Sequence, residues 1–236
     1  MELDRDAYLE GQILCIDKPY RWSSFQALNH VKWTLRKAFS LKKLKVGHAG
    51  TLDPLATGLL LVCTGKATKR IAAIQEMEKE YTGTLVLGAV TPSYDLETEP
   101  QDFRPTDALT EAGIRAAAEA LTGEIRQRPP VFSAIRKDGK RLYEFARDGK
   151  EVEVPLRTVR VHAFDIPAVR LPEADFRITC SKGTYIRSLA HDLGQDLGCG
   201  AYLSALKRTK TGDFDVNKAR TPEAFRQAFR DAGFPV

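Results

Sequence analysis

The stretch Gly47-His48-Ala49-Gly50-Thr51-Leu52-Asp53-Pro54-Leu55-Ala56-Thr57-Gly58-Leu59-Leu60 sets a lone carboxylate, Asp53, at the junction of a glycine-punctuated loop and an apolar run. From Lys18 to Leu52 there are eight Lys or Arg residues and no Asp or Glu, so Asp53 is the first acid after Asp17 across a long basic segment. In Leu52-Asp53-Pro54 the proline fixes its own φ and biases Asp53 toward extended backbone, while the glycines let main chain approach a ligand closely. The residues alone support two readings: a carboxylate presented for chemistry, or an Asx-turn residue capping residues 54–58.

Outward from this stretch, Leu59-Leu60-Leu61-Val62-Cys63 has the length and composition of a short buried strand, ended by Thr64-Gly65. Residues 12–17 read as a second buried strand, stopped by Lys18-Pro19. Ser23 or Ser24 can cap a helix reaching residue 39. Further on, residues 67–77 look helical, 81–87 alternate as a strand does, and 109–121 form a helix stopped near Gly123. A strand pair is expected at 159–169 and 174–181, helices at 185–197 and 222–232, and a mixed segment at 202–209. Residues 128–133 break regular structure and open a basic, hairpin-like insertion through residues 137–140, with a short helix near Tyr143 and a return strand at 152–154. No repeat or linker interrupts the order. The expectation is an α+β fold, a mainly antiparallel mixed sheet flanked by helices and loops, as a single domain over residues 1–236 with the basic insertion at 128–154.

The composition, 43% hydrophobic and 28% charged, is that of an ordinary globular protein and excludes disordered and fibrous classes. No apolar run reaches the roughly 18 residues a membrane helix needs, and the acidic start Met1-Glu2-Leu3-Asp4 is unlike a signal peptide, which predicts a cytoplasmic chain with no membrane partner. The net charge of +5 is unevenly spread, with basic clusters at 32–45, 136–150 and 207–210 and acidic ones at 76–80 and 95–107. Such segregation suits a surface for a polyanion. Cys15, Cys63, Cys180 and Cys199, like the four histidines, are scattered without zinc-ligand spacing, so reduced thiols and no metal are expected.

Two further clusters stand out. In Cys180-Ser181-Lys182-Gly183-Thr184-Tyr185-Ile186-Arg187 a strand ends, a glycine turns the chain and a helix begins, a junction that can present side chains into a cleft or leave Arg187 solvated. In Lys79-Glu80-Tyr81 the aromatic ring can stack on a base or fill core.

Taken in order, Asp17-Lys18-Pro19, the stretch from Gly47 to Gly58, Lys79-Glu80-Tyr81, Pro129-Pro130-Val131-Phe132-Ser133-Ala134 and the segment from Cys180 to Arg187 resemble the motif series of TruB-type tRNA pseudouridine synthases. The resemblance runs from Gln12 to Asp213, and the aspartate motif matches over a dozen positions. It implies isomerisation of uridine to pseudouridine at position 55 in the TΨC loop of tRNA. By similarity Asp53 is the catalytic aspartate and Tyr81 lies against the target base. Arg187 pairs with Asp53, Tyr185 lines the pocket, and His48 helps hold the flipped nucleotides. Asp95 corresponds to a second acid contacting the arginine, Leu206 supplies an apolar wall, and Lys18 belongs to the substrate-binding set. Lys137, Lys140 and Arg141 in the insertion would hold RNA phosphates.

Such an isomerisation detaches uracil from C1′, turns it and rejoins it through C5, which requires a carboxylate but no outside reagent, so no cofactor is expected. The partner is the T-arm of tRNA, with a monomer and no obligate protein partner expected. Many family members continue into a C-terminal RNA-binding domain, whereas 22 residues follow Phe214 here, fewer than the roughly 50 a domain needs, so a catalytic domain alone is expected. The rivals are a tRNA-binding folding chaperone acting on the T-arm and an acid hydrolase built on Asp53, the latter weakened because no second carboxylate sits in a matching motif.

Overall fold

The computed structural model describes residues 3–133 and 154–236, together with the backbone of residues 136–137 and 140–141. Two compact units are evident, one of Met1–Tyr81 with Lys207–Val236 and one of Thr82–Leu206.

The first unit opens with α1 (Arg5–Glu10), capped by the Asp4 carboxylate, and β1 (Ile13–Lys18). Next comes α2 (Ser24–Ala38), where Ser23 and Gln26 form a capping box, so the start expected at Ser23 or Ser24 is found with its reciprocal hydrogen bonds. Short β2 (Val46–His48) and long β3 (Thr57–Thr64) bracket the Asp53 loop. A 3₁₀ turn (Gly65–Arg70) and α3 (Ile71–Glu76) lead into β4 (Lys79–Leu87), whose first residues belong to this unit.

Strand β3 lies antiparallel to β1, with Ile13 opposite Cys63 and Lys18 opposite Gly58, and antiparallel to β2, with His48 opposite Val62. Leu60 and Val62 point into one core with Ala27, Val31 and Leu35 of α2 and with Phe225 and Phe229 of the C-terminal helix. Leu59, Leu61 and Cys63 point into another with Ala49, Ala67, Ile74 and Val216. Because successive strand side chains alternate faces and both faces are covered, β3 is apolar at every position from Leu59 to Cys63.

The second unit contains α4 (Glu111–Ala120), β5 (Gly123–Gln127), β8 (Arg157–Arg170), β9 (Glu173–Cys180), α5 (Ile186–Asp196) and the first residues of β10 (Ala201–Thr211); between them the backbones of β6 (Arg136–Lys137) and β7 (Lys140–Arg141) pair antiparallel. Its sheet runs β10, β4, β9, β8, β5, with β8 and β9 antiparallel as expected and bulged twice along β8. Helix α4 packs against β8, and Phe164 meets Phe176 edge-on at 6.4 Å.

Back in the first unit, the final residues of β10 pair in parallel with β3 (Lys207 opposite Thr57, Arg208 opposite Gly58). They are followed by β11 (Phe214–Asp215), a 3₁₀ turn (Val216–Lys218) and α6 (Pro222–Asp231), capped by Thr221 with Pro222 at its start. The mixed segment expected at 202–209 is thus part of an eleven-residue strand. Its polar interruptions reflect different neighbours along its length rather than a loop. The helix expected near Tyr143 and most of the return strand at 152–154 lie outside the described residues. Among the described residues no helix is long and apolar enough to cross a membrane.

Candidate active site

The Asp53 loop is pinned at nearly every other residue. The Ala49 N–H donates to the Leu61 carbonyl at 2.9 Å, tying the loop's entry to β3. Arg208 donates from Nη2 to the Gly50 carbonyl at 3.0 Å and from Nε to the Leu59 carbonyl at 2.7 Å. Ser24 Oγ, buried on the first turn of α2, donates to the Leu52 carbonyl at 3.1 Å and accepts from the Leu52 N–H at 2.8 Å. Past Asp53, the Pro54 carbonyl accepts from Lys18 Nζ at 3.3 Å and from the Arg21 N–H at 2.8 Å, and the Ala56 N–H closes a turn on the Asp53 carbonyl at 3.1 Å. Asp53 itself is half-buried between these fixed points. A carboxylate borne on main chain so held is positioned before any ligand arrives, which lowers the reorganisation a reaction would require.

Lys18, expected in the substrate-binding set, is fully buried, and its ammonium donates to the carbonyls of Pro19 (3.0 Å), Trp22 (2.6 Å) and Pro54. It braces the loop from within. Burial pushes its pKa down to about 8, opposed by the negative charge of Asp53 and assisted by Arg208. His48, at the end of β2, is held below the ordinary histidine value by burial and by Arg208, so its imidazole is neutral near pH 7, and its Nδ1 is buried without a hydrogen-bond partner among the described residues.

Arg208 is the functional residue that sequence reasoning missed. Within the basic cluster at 207–210 it read as part of a surface suited to a polyanion, yet it is only 2% exposed. The available signal was the strand period, since Lys207 and Arg208 must face opposite sides of β10. Gly58, opposite Arg208, has φ +97°, and a Cβ there would stand 2.3 Å from the Arg208 carbonyl oxygen, so only glycine fits where the two strands meet. Tyr81 is half-buried on β4, directly after Glu80, whose carboxylate accepts from Thr209 Oγ1 at 2.7 Å.

The second unit assembles another set. Arg187, on the first turn of α5, is 3% exposed rather than solvated. It donates to the Ser93 carbonyl at 3.0 Å and to the Phe132 carbonyl at 2.8 Å, and its Nε stands 3.7 Å from the Asp95 carboxylate. The second acid therefore does contact this arginine. Tyr94, in the left-handed region at φ +63°, stacks its ring on His191 at 4.1 Å, one helical turn beyond Arg187. Beside it Asp192 is raised to about 6 by burial and then by Asp196. Tyr185 caps α5, and its main-chain N–H and carbonyl are both bonded to the buried side-chain amide of Gln127, at 2.8 and 3.0 Å, with Arg157 over its ring. Leu206 is half-buried on β10. Asp53, Tyr81, His48 and Lys18 thus belong to the first unit, and Asp95, Tyr185, Arg187 and Leu206 to the second. The side chains of Lys137, Lys140 and Arg141 lie outside the described residues.

A fixed carboxylate in a glycine-rich loop and a buried Arg–Asp pair at a strand-to-helix junction coincide with two family models, "TruB family pseudouridylate synthase (N terminal domain)" over residues 36–186 and "tRNA pseudouridylate synthase B C-terminal domain" over residues 187–232. The chain belongs to the TruB family of pseudouridylate synthases and is an isomerase. It is 54% identical over 226 residues to a protein of Flavobacterium johnsoniae named tRNA pseudouridine synthase B, covering 95% of this chain and 99% of that one. A protein of the same name from Chloroherpeton thalassium is 51% identical, covering 90% of this chain and 88% of that one. Among solved structures, a Cbf5-Nop10-Gar1 complex contains a chain 30% identical with a TM-score of 0.66, covering 91% of this chain and 52% of that chain. An H/ACA RNP bound to a substrate RNA containing 2′-deoxyuridine contains one 26% identical with a TM-score of 0.69, covering 98% of this chain and 58% of that chain. This chain spans little more than half the length of those solved chains. The fold is that of the pseudouridine synthases.

Proposed function

We propose that this chain converts uridine to pseudouridine at position 55 in the TΨC loop of tRNA, with Asp53 as the catalytic carboxylate. The observation that carries this reading is the pinning of residues 50, 52 and 54 by Arg208, Ser24 and Lys18, which fixes the main chain on either side of Asp53 and so sets where its carboxylate stands. The relatives' shared name, tRNA pseudouridine synthase B, supports tRNA as the substrate.

In this reading the uridine leaves the loop's stack, at a cost of a few kcal/mol, before its glycosidic bond can be reached. Tyr81 offers an aromatic face to the extruded base, an interaction worth about 1–3 kcal/mol that offsets part of that cost. Asp53 then serves as nucleophile or charge partner while uracil detaches from C1′, turns and rejoins through C5. His48, at the end of β2, helps hold the flipped nucleotides. The chain works as one catalytic domain, a monomer in the cytoplasm, and its insertion at 128–154 grips phosphates.

The test is incubation with an unmodified tRNA transcript followed by pseudouridine-specific chemical mapping. One modified uridine in the T loop is expected with the wild type. Asp53→Asn should give none while still binding tRNA. A modification mapped elsewhere would overturn the site, and multiple turnover by Asp53→Asn would overturn the role.

A further inference from the structure

Next to the Asp53 loop is a turn of unusual composition. The Trp22 N–H closes on the Pro19 carbonyl at 3.3 Å, so Pro19 to Trp22 form a four-residue turn with Arg21 third. Arg21 has φ +65°. A turn with positive φ at that position ordinarily takes glycine, because any Cβ there is strained. The surroundings impose this conformation: the buried Lys18 ammonium gathers the carbonyls of Pro19, Trp22 and Pro54, and the Arg21 N–H is bonded to Pro54. A strained backbone bearing a long cationic side chain invites a functional explanation.

The side chain gives that explanation. Arg21 is exposed, and its guanidinium lies 5.6 Å from the ring centroid of Tyr20, itself 48% exposed. Among the described residues no carboxylate pairs with it, and the sequence from Lys18 to Leu52 contains no acid to do so. Phe25, on the first turn of α2, is 66% exposed nearby in sequence. A planar guanidinium supported on an aromatic face keeps its fork of donors directed outward, the geometry that matches a phosphate.

We propose that Arg21, held by its strained turn and backed by Tyr20, binds a backbone phosphate of the substrate RNA beside the Asp53 loop. The inference rests on the assignment of an RNA substrate above. It adds a positioning residue for that substrate: one hydrogen bond, from the Arg21 N–H to Pro54, separates the turn's main chain from the residue following Asp53. A phosphate gripped here is placed relative to the carboxylate by the main chain itself.

The experiment is tRNA binding by Arg21→Gly across a series of salt concentrations, with thermal unfolding in parallel. Removing the cation that neutralises one phosphate flattens the slope of log K against log salt by about 0.7 for a single strand and about 0.9 for a duplex. Arg21→Gly should bind an unmodified transcript more weakly and with a slope flatter by that amount, while its Tm is unchanged or higher because glycine adopts the turn freely. Arg21→Lys should keep the slope. A wild-type slope for Arg21→Gly would overturn the proposal, and so would a fallen Tm with unchanged binding, which would assign Arg21 to the fold alone. Wild-type protein that binds the transcript without modifying it would refute the functional reading and leave the slope test standing. Wild-type protein that fails to bind it would overturn both.

Discussion

Arg208 and Gly50 are joined by a 3.0 Å hydrogen bond across 158 residues of sequence. The same guanidinium holds Leu59 at 2.7 Å, so the two arms of the Asp53 loop hang on one buried side chain. Its position is fixed by the parallel pairing of Arg208 with Gly58.

Arg208→Met should therefore leave two inward carbonyls unpaired and cost about 2–4 kcal/mol in urea unfolding. Turnover should fall further than tRNA affinity, since the loop's position rather than its presence is altered. Full kcat with normal stability would show that the loop stands without this tie.

Lys18 sets a pH dependence whose sign is determined. Its pKa in the fold is about 8, below the 10.5 of the free side chain, so the unfolded chain binds the extra proton between these values. Stability from this group is complete above 10.5 and is lost as pH falls to 8. Relative to Lys18→Met, wild type should gain about 1.4 kcal/mol per pH unit between those limits, measured by urea unfolding at stepped pH. Parallel curves for the two proteins would contradict it.

Asp192 acts in the opposite sense. Its pKa is raised from 3.8 to about 6, so the folded chain holds the proton longer, and the stability it contributes below 3.8 is lost as pH rises through 6. Asp192→Asn should be more stable than wild type at pH 7 by about 1–3 kcal/mol and no more stable below pH 4. Unfolding midpoints at the two pH values decide it.

Tyr81 should act through its ring. Single-turnover rates are expected to fall severely for Tyr81→Leu and modestly for Tyr81→Phe, because stacking uses the aromatic face and not the hydroxyl. Equal loss in both variants would reassign the function to the phenolic oxygen.

Much of this architecture is legible in sequence where one local rule governs. The run from Leu59 to Cys63 announces a short buried strand, and Ser23 or Ser24 announces a helix start. Strand β10 read only as a mixed segment, because its residues answer to different neighbours: Tyr202 and Leu203 are buried, Lys207 is exposed and Arg208 is buried again. The burial of Lys18 and Arg208 was not legible for a related reason. A buried cation surrounded by carbonyls carries the same letter as a solvated one, and the carbonyls that hold it come from residues up to 158 positions away. The Arg187–Asp95 pair also joins residues far apart in sequence and was accessible only through family resemblance.

The four cysteines, none in a disulfide, give the protein native reporters of its own breathing. Cys63 lies buried on β3, and Cys180 and Cys199 lie buried in the second unit, while burial holds the thiols of Cys15 and Cys63 above their ordinary pKa. Alkylation requires an accessible thiolate, so a reagent such as iodoacetamide can reach Cys63, Cys180 or Cys199 only while the surrounding strands are open. Peptide-resolved labelling rates under native conditions would then time the opening of each unit separately, with no probe engineered into either.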